Sequence, residues 1–372
     1  MGKIKVLYIV STLRSSGPTN QLLGNISNLD KDKFEARVLT LSPDPANNRR
    51  DDFIAANIDL DSLNLSRLQF QLKGKKLLKK YIDVYKPDIV HTTGVRADIA
   101  VAKLGLNSKH CMTIRNYAYD DYVAKYGDII GKIAARSSIE AMQKCKYVIC
   151  CSKSLKEMYS EILQQELFVV QNGVGTIKFA PLDKIERKIN LRESLALPKE
   201  KTILIAVGSL IKRKDPITII NAFKKANKEG KAVLLLLGEG ELMEQCKSIT
   251  DSNVILKGNV NNVNDYLKAS DIYVSASESE GLPNSVLEAG RCGLDMILSD
   301  IPQHMEVFEG NLECISLFNV GDERGLIKVM KSKIMQNNGL INYEVAKYIE
   351  DNFSNEVMSN KYEEMYQLMI KR

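Results

Sequence analysis

No stretch of this chain approaches the roughly 20 consecutive apolar residues that span a bilayer. The opening residues, Met1 to Val10, are too short for a signal peptide and run directly into a candidate strand. Gly2 lacks the downstream Ser or Thr of a myristoylation signal. Histidine is scarce: His91, His110 and His304 stand alone, with no ligand spacing, which argues against a zinc centre. The seven cysteines (Cys111, Cys145, Cys150, Cys151, Cys246, Cys292 and Cys314) form no C-x-x-C pair. Their odd number and apolar settings fit buried free thiols in a reducing cytoplasm. A repeat of 20–50 residues and low-complexity tracts are both missing, which excludes solenoids. The net charge of +6 over 372 residues is too small and too scattered for a nucleic-acid binder.

What remains is an ordinary globular composition, 44% hydrophobic and 26% charged. At about 100–200 residues per domain, the length predicts two domains. Strand and helix patterns alternate. Candidate strands are Lys5–Val10, Phe34–Leu41, Asp88–His91, Cys111–Ile114, Tyr147–Cys151 and Leu167–Val170. Between them lie candidate helices Asn20–Leu29, Leu68–Tyr85, Ala97–Leu104, Ile129–Lys144 and Lys153–Leu163. The turn-rich Gln171–Pro181 and the polar Lys184–Glu200 bracket a linker. The pattern then resumes with strands Thr202–Val207, Ala232–Leu237, Val254–Leu256, Ile272–Ser275 and Met296–Leu298. Val357, Tyr362, Met365 and Leu368 predict a final amphipathic helix. Alternation of this kind predicts parallel, doubly wound sheets.

The segment Glu278-Ser-Glu280-Gly-Leu-Pro283-Asn-Ser-Val-Leu-Glu288-Ala-Gly290 is the most informative. It follows the strand pattern Asp271–Ala276 and opens a helix. In an open α/β sheet, a loop there lies beyond the carboxyl ends of the strands, where such folds bind ligands. A helix N-terminus suits a phosphate, and a carboxylate suits a ribose diol. Ser285 and Glu288 also fit a capping box, Ser at N-cap and Glu at N3, so Glu288 has a structural alternative.

The segment resembles the E-x7-E region of retaining GT-B glycosyltransferases of family 4, with Glu280, Gly281, Pro283, Glu288, Ala289 and Gly293 in place. Gly208 to Lys214 is similar to the family's G-R-L-x-x-x-K. Ser209 replaces the arginine, Lys214 matches the lysine, and Arg213 stands beside it. A cation there would stabilise the departing diphosphate, although a solvated basic loop would read the same way. Ser15-Ser16-Gly17-Pro18-Thr19 is similar to the G-G-x-E loop, with Gly17 kept and Ser16 and Thr19 departing. Asn172-Gly173-Val174 and Gly238-Glu-Gly240 match backbone motifs of the family, and Ser299-Asp300…Glu306 resembles the end of its donor region. Many relatives carry a histidine where this chain has Arg115. An arginine cannot act as a base, but it can bind an acceptor phosphate or a donor hydroxyl. His91 matches a strand-end histidine and suits a packed role.

The resemblance implies an α/β GT-B fold of two facing Rossmann-like, doubly wound domains. Residues 1–178 would form the acceptor side and 179–352 the nucleotide-sugar side. Residues 353–372 would be a helix crossing back to the first domain. It implies a retaining hexosyltransferase using a nucleoside diphosphate sugar, UDP-GlcNAc first, on a glycan or lipid-linked acceptor in cell-surface polysaccharide or glycolipid synthesis. Glu280, Lys214 and Arg115 are the expected catalytic set. Gly17, Ser209, Arg213, Lys214, Glu280, Gly281, Leu282, Pro283, Asn284, Ser285 and Glu288 are expected to bind the donor. Neither a metal nor a cofactor is expected, since no D-x-D pair stands where one would serve. The protein is expected in the cytoplasm, with peripheral contact to an anionic membrane. For that contact the lysine-rich Lys73–Lys80, with Leu72, Leu77, Leu78, Tyr81 and Ile82 at helical spacing, is the candidate, or else a solvated face. A sugar-nucleotide 2-epimerase and a non-catalytic sugar-nucleotide-binding subunit are the alternatives.

Overall fold

A computed structural model describes residues 2–106, 108–308 and 315–372; Cys314 lies outside them. The chain forms two units, Met1–Gly173 with Asn355–Arg372, and Val174–Ser354. The sequence reading placed these borders at 178/179 and 352/353.

The first unit holds a parallel sheet of β1 (Ile4–Val10), β2 (Phe34–Thr40), β3 (Asp59–Ser62), β4 (Ile89–Thr93), β5 (Lys109–Ile114), β6 (Tyr147–Cys150) and β7 (Leu167–Val169). Its order is β3-β2-β1-β4-β5-β6-β7, so the winding reverses between β1 and β4. Both faces are covered. In β1, Val6, Tyr8 and Val10 pack on one side, with Met358, Tyr362 and Tyr366 of the last helix, Asn355–Lys371. Leu7 and Ile9 pack on the other side, with Leu78, Ile82 and Val101. Burial on both faces explains why the strands read as continuous apolar runs.

The last helix is fastened by a chain of buried hydrogen bonds. The Tyr8 hydroxyl lies 2.9 Å from that of Tyr366, which meets His91 Nδ1 at 2.7 Å. His91 Nε2 is 2.7 Å from Thr113 Oγ1, itself 2.9 Å from the Tyr362 hydroxyl. Burial lowers the His91 pKa to about 3, with Arg115 acting in the same direction. This histidine is therefore a neutral packed linker, the role its strand-end position suggests.

The second unit holds β8 (Thr202–Val207), β9 (Ala232–Leu237), β10 (Val254–Gly258), β11 (Ile272–Ser275), β12 (Asp295–Ser299) and β13 (Ile315–Phe318), in the order β10-β9-β8-β11-β12-β13. All its pairings are parallel too, and its winding reverses between β8 and β11.

Three sequence expectations need correction. The polar Lys184–Glu200, for which no element was expected, contains the helix Ile185–Ser194. Its Lys188 and Arg192, one turn apart, are buried and each lies 2.6 Å from the Asp271 carboxylate. Secondly, the helix over 68–85 is interrupted by a π turn at Phe70–Gly74. Within that turn Leu72 is 81% exposed, while Phe70 at its start and Leu78 and Ile82 beyond it are buried. Thirdly, β3 and β13 were not foreseen. The first is an edge strand of Asp-Leu-Asp-Ser, with no apolar run to reveal it.

Candidate active site

The loops after β8 and β11 lie side by side where the second sheet reverses its winding, the usual ligand position in such sheets. Gly208 follows β8, and Lys212–Lys214 form a short 3-10 turn. Asp215 then adopts a left-handed conformation (φ 43°) and caps the helix Pro216–Ala226, its carboxylate accepting from the Thr218 amide at 3.2 Å. The Gly238-Glu-Gly240 motif holds this loop from below. A Cβ on Gly238 would meet the Gly208 carbonyl at 2.0 Å, and one on Gly240 the Leu210 carbonyl at 2.3 Å. These glycines act by permitting close backbone approach.

The acidic turn meets the basic loop directly. The Glu278 amide donates to the Arg213 carbonyl at 2.9 Å. Lys214 Nζ pairs with Glu280 Oε1, and Arg213 Nη1 lies 3.2 Å from Oε2. Arg213 also donates to the Ser279 carbonyl. Ser277 Oγ donates to Glu280 Oε1 at 2.8 Å. Burial alone would raise the Glu280 pKa. Lys214 and Arg213 outweigh it and hold the carboxyl at about 2. The carboxylate is thus fixed, charged and nearly enclosed.

Residues absent from the sequence-based set support it. Ser299 Oγ donates to the Ser277 carbonyl at 2.6 Å, and His304 Nδ1 lies 2.8 Å from the Ser299 carbonyl. His304 is buried, and burial lowers its pKa to about 4. In sequence, only the Ser-Asp-Ile-Pro context before it hinted at its place.

The capping-box alternative for Glu288 is not realised. The helix spans Asn284–Arg291 with Pro283 at its N-cap, and no side chain caps it. Ser285 lies inside the helix and accepts from the Tyr273 hydroxyl at 2.7 Å. Glu288 is half-buried in the second turn, and among the described residues no side chain pairs with its carboxylate. Burial raises its pKa to about 7, with Lys178 opposing. An unpaired, partly buried carboxylate is costly unless a ligand satisfies it.

Gly281, Leu282 and Pro283 are buried in the turn between the two acids, and Asn284 and Ser285 open the helix. Ser209 is exposed on the β8 loop. The structure thus gathers Lys214, Arg213, Glu280, Glu288 and 281–285 in the second unit. Gly17 and Arg115 belong to the first.

In that first unit, Gly17 opens the helix Gly17–Ser27 after β1. The two departures from the family loop close the turn around it. Ser16 Oγ and Thr19 Oγ1 lie 3.0 Å apart, and both donate to the Arg14 carbonyl. Arg115 follows β5, and its Nη1 donates to Asn172 Oδ1 at 2.6 Å. Asn172 therefore orients a side chain, a role its motif did not suggest. Arg115 lines a cavity of about 740 Å³ at the reversal point of this sheet, formed by the loops after β1, β2, β4 and β5. Asp98 is buried in its wall. Burial raises the Asp98 pKa to about 7, opposed by a hydrogen bond with Thr92.

Two reversed, doubly wound sheets with ligand-ready loops form a two-unit α/β architecture, and the comparisons say which family it belongs to. Residues 16–177 match the family model described as Glycosyltransferase Family 4, and residues 187–333 match Glycosyl transferases group 1. The chain belongs to the GT-B glycosyltransferases of family 4, and is a glycosyltransferase. It is 29% identical to an Escherichia coli UDP-Gal:alpha-D-GlcNAc-diphosphoundecaprenol alpha-1,3-galactosyltransferase, over 80% of each chain. It is 22% identical to the E. coli O-antigen biosynthesis glycosyltransferase WclY, over 99% of each. The solved structure of Anabaena HepE in complex with UDP and glucose superposes with a TM-score of 0.80 at 15% identity, covering 98% of this chain and 99% of that one. That likeness speaks to the fold.

Proposed function

We propose that this enzyme moves a hexose or N-acetylhexosamine from a UDP-sugar to a lipid-linked or glycan acceptor in surface polysaccharide synthesis, with retention at the anomeric carbon. The observation that carries the reading is the Lys214–Glu280–Arg213 cluster, with the unpaired Glu288 in the helix that follows Glu280. Lys214 and Arg213 would stabilise the charge gathering on the departing diphosphate. Glu280 would accept hydrogen bonds from the donor sugar's hydroxyls, and Glu288 from the ribose. Of the first unit's residues, Gly17 remains a proposed donor contact and Arg115 a proposed acceptor contact. In the transfer, the bond from the anomeric carbon to the diphosphate oxygen breaks. A bond to the acceptor oxygen forms on the same face, and the acceptor proton passes to the departing oxygen. No protein base is required, which suits an arginine at position 115.

The UDP series is favoured because the E. coli relative is named for UDP-Gal and the HepE complex holds UDP. Among UDP-sugars, UDP-GlcNAc stays the first candidate, with UDP-Gal and UDP-Glc beside it. Two cations at the diphosphate position make a metal unnecessary in this reading. We place the enzyme in the cytoplasm, at the surface of an anionic membrane. Among the described residues no helix is long and apolar enough to cross one. The exposed Leu68 and Leu72, beside the lysines of 73–80, supply the contact.

A thermal-shift screen with UDP-GlcNAc, UDP-Glc, UDP-Gal, UDP, GDP-Man and GDP tests the donor class. A ligand at 100 times its Kd adds about 2.7 kcal/mol of stability. Stabilisation by GDP-Man and GDP but not by UDP would overturn the assignment.

A further inference from the structure

The cavity of the first unit carries a charge pattern that the donor chemistry leaves unused. Four arginines line it: Arg14 after β1, Arg67 at the start of the π-interrupted helix, Arg96 after β4 and Arg115 after β5. Arg37, Arg49 and Arg50 of the same unit each hold an aspartate. Among the described residues, none of the four in the cavity forms an ion pair. Arg96 Nη1 donates to Ser42 Oγ at 2.7 Å, and its guanidinium lies 4.4 Å from the centre of the Phe70 ring. Its Nη2 is buried without a partner, as is Arg115 Nε. Burial, and then the like charge of Arg67, lower the Arg96 pKa. Two carboxylates share the lining. Asp98 is sealed into the wall against Thr92, and Asp121 takes a 3.3 Å hydrogen bond from Asn116.

Buried N–H groups are nearly always satisfied. Four like charges in one concavity are unfavourable until a negative group arrives. The planar fork of arginine matches phosphoryl oxygens in paired hydrogen bonds. We propose that this cavity binds a phosphate or diphosphate group carried by the acceptor, through Arg14, Arg67, Arg96 and Arg115. This rests on the reading above that the first unit receives the acceptor. A volume of about 740 Å³ accommodates a diphosphate with a sugar ring. Leu68 and Leu72, exposed next to Arg67, offer an aliphatic chain a place to lie.

Isothermal titration of the full chain tests this, with inorganic pyrophosphate and geranyl diphosphate as probes, with and without saturating UDP. Wild type is expected to bind both probes while UDP occupies the donor site. Arg67→Gln and Arg96→Gln should each weaken binding about tenfold or more, a loss typical of a charge-assisted pair. UDP affinity should stay unchanged. Arg67 is exposed, so its variant keeps the fold, which a melting curve verifies. Tighter binding of geranyl diphosphate assigns a lipid-borne phosphate, and equal binding assigns a phosphorylated sugar. Equal affinity in wild type and both variants, absence of binding in wild type, or loss only in Lys214→Ala would overturn the proposal. Arginine-dependent pyrophosphate binding without any UDP binding would sink the donor reading and leave this one standing.

Discussion

Lys214 and Glu280 are 66 residues apart in sequence and form an ion pair at the point where the second sheet reverses its winding. Glu280→Ala therefore removes more than a ligand contact, because it leaves Lys214 and Arg213 facing each other without a counter-charge. Breaking such an enclosed pair costs up to about 3 kcal/mol. Glu280→Ala should lose turnover and melt lower. Glu280→Gln should recover much of the stability and little of the turnover. Wild-type turnover in a folded Glu280→Ala protein would remove this residue from the active site.

The Glu280 carboxyl titrates at about 2, below its ordinary 4.5. Its contribution to stability is therefore fully present above about 4.5 and is lost as pH falls toward 2. Acid melts of wild type and Glu280→Gln should differ at neutral pH and converge only as pH falls through about 2.

Glu288 behaves in the opposite sense. Its pKa is raised to about 7, so the folded state favours its proton, and stability declines as pH rises from 4.5 through 7. UDP affinity should increase over that upper range as the carboxylate forms and accepts from the ribose. Glu288→Gln should weaken UDP about tenfold and flatten this dependence, read by titration between pH 6 and 8. A profile identical to wild type would return Glu288 to a packing role.

Asp271 holds Lys188 and Arg192 and also receives the Ile203 amide at 2.7 Å. Asp271→Ala strands two buried cations and should cost about 3–5 kcal/mol. Thermal melting of the second unit would reveal it, and a change under about 1 kcal/mol would contradict the ion-pair account.

Vesicle sedimentation tests the surface contact at Leu68, Leu72 and the neighbouring lysines. Binding to anionic vesicles should fall as salt rises past 0.15 M, where the screening length is about 8 Å. Leu72→Asp should weaken it further. Equal binding to neutral vesicles would count against this contact.

The sequence showed the apolar strands and the acidic turn because both carry local signals. The run of β9 has no polar residue to obscure it and that of β8 only Thr202 at its start, and Glu280 to Gly293 keeps its spacing within one turn and helix. It did not show the helix Ile185–Ser194, whose buried face consists of Lys188 and Arg192. Their partner lies 79 residues from Arg192, beyond any local pattern. The capping box was a correct pattern in the wrong place, since Tyr273 claims the Ser285 hydroxyl across the strand-to-helix turn. The arginine cavity collects side chains from four separate segments, and only Arg115 had a motif to mark it.

The bond network from Tyr8 through His91 to Tyr362 and Tyr366 ties the beginning of the chain to its end. On the ribosome, residues 1–173 emerge first but cannot complete their core. The Tyr8 face stays uncovered while the whole second unit is made. The unit between can close alone, since domains generally fold as units. The first unit closes only once the last 18 residues arrive, counted from Asn355 to Arg372. A nascent chain arrested before residue 355 should therefore carry a protease-resistant second unit and a labile first one. Deletion of the helix Asn355–Lys371 should not be tolerated.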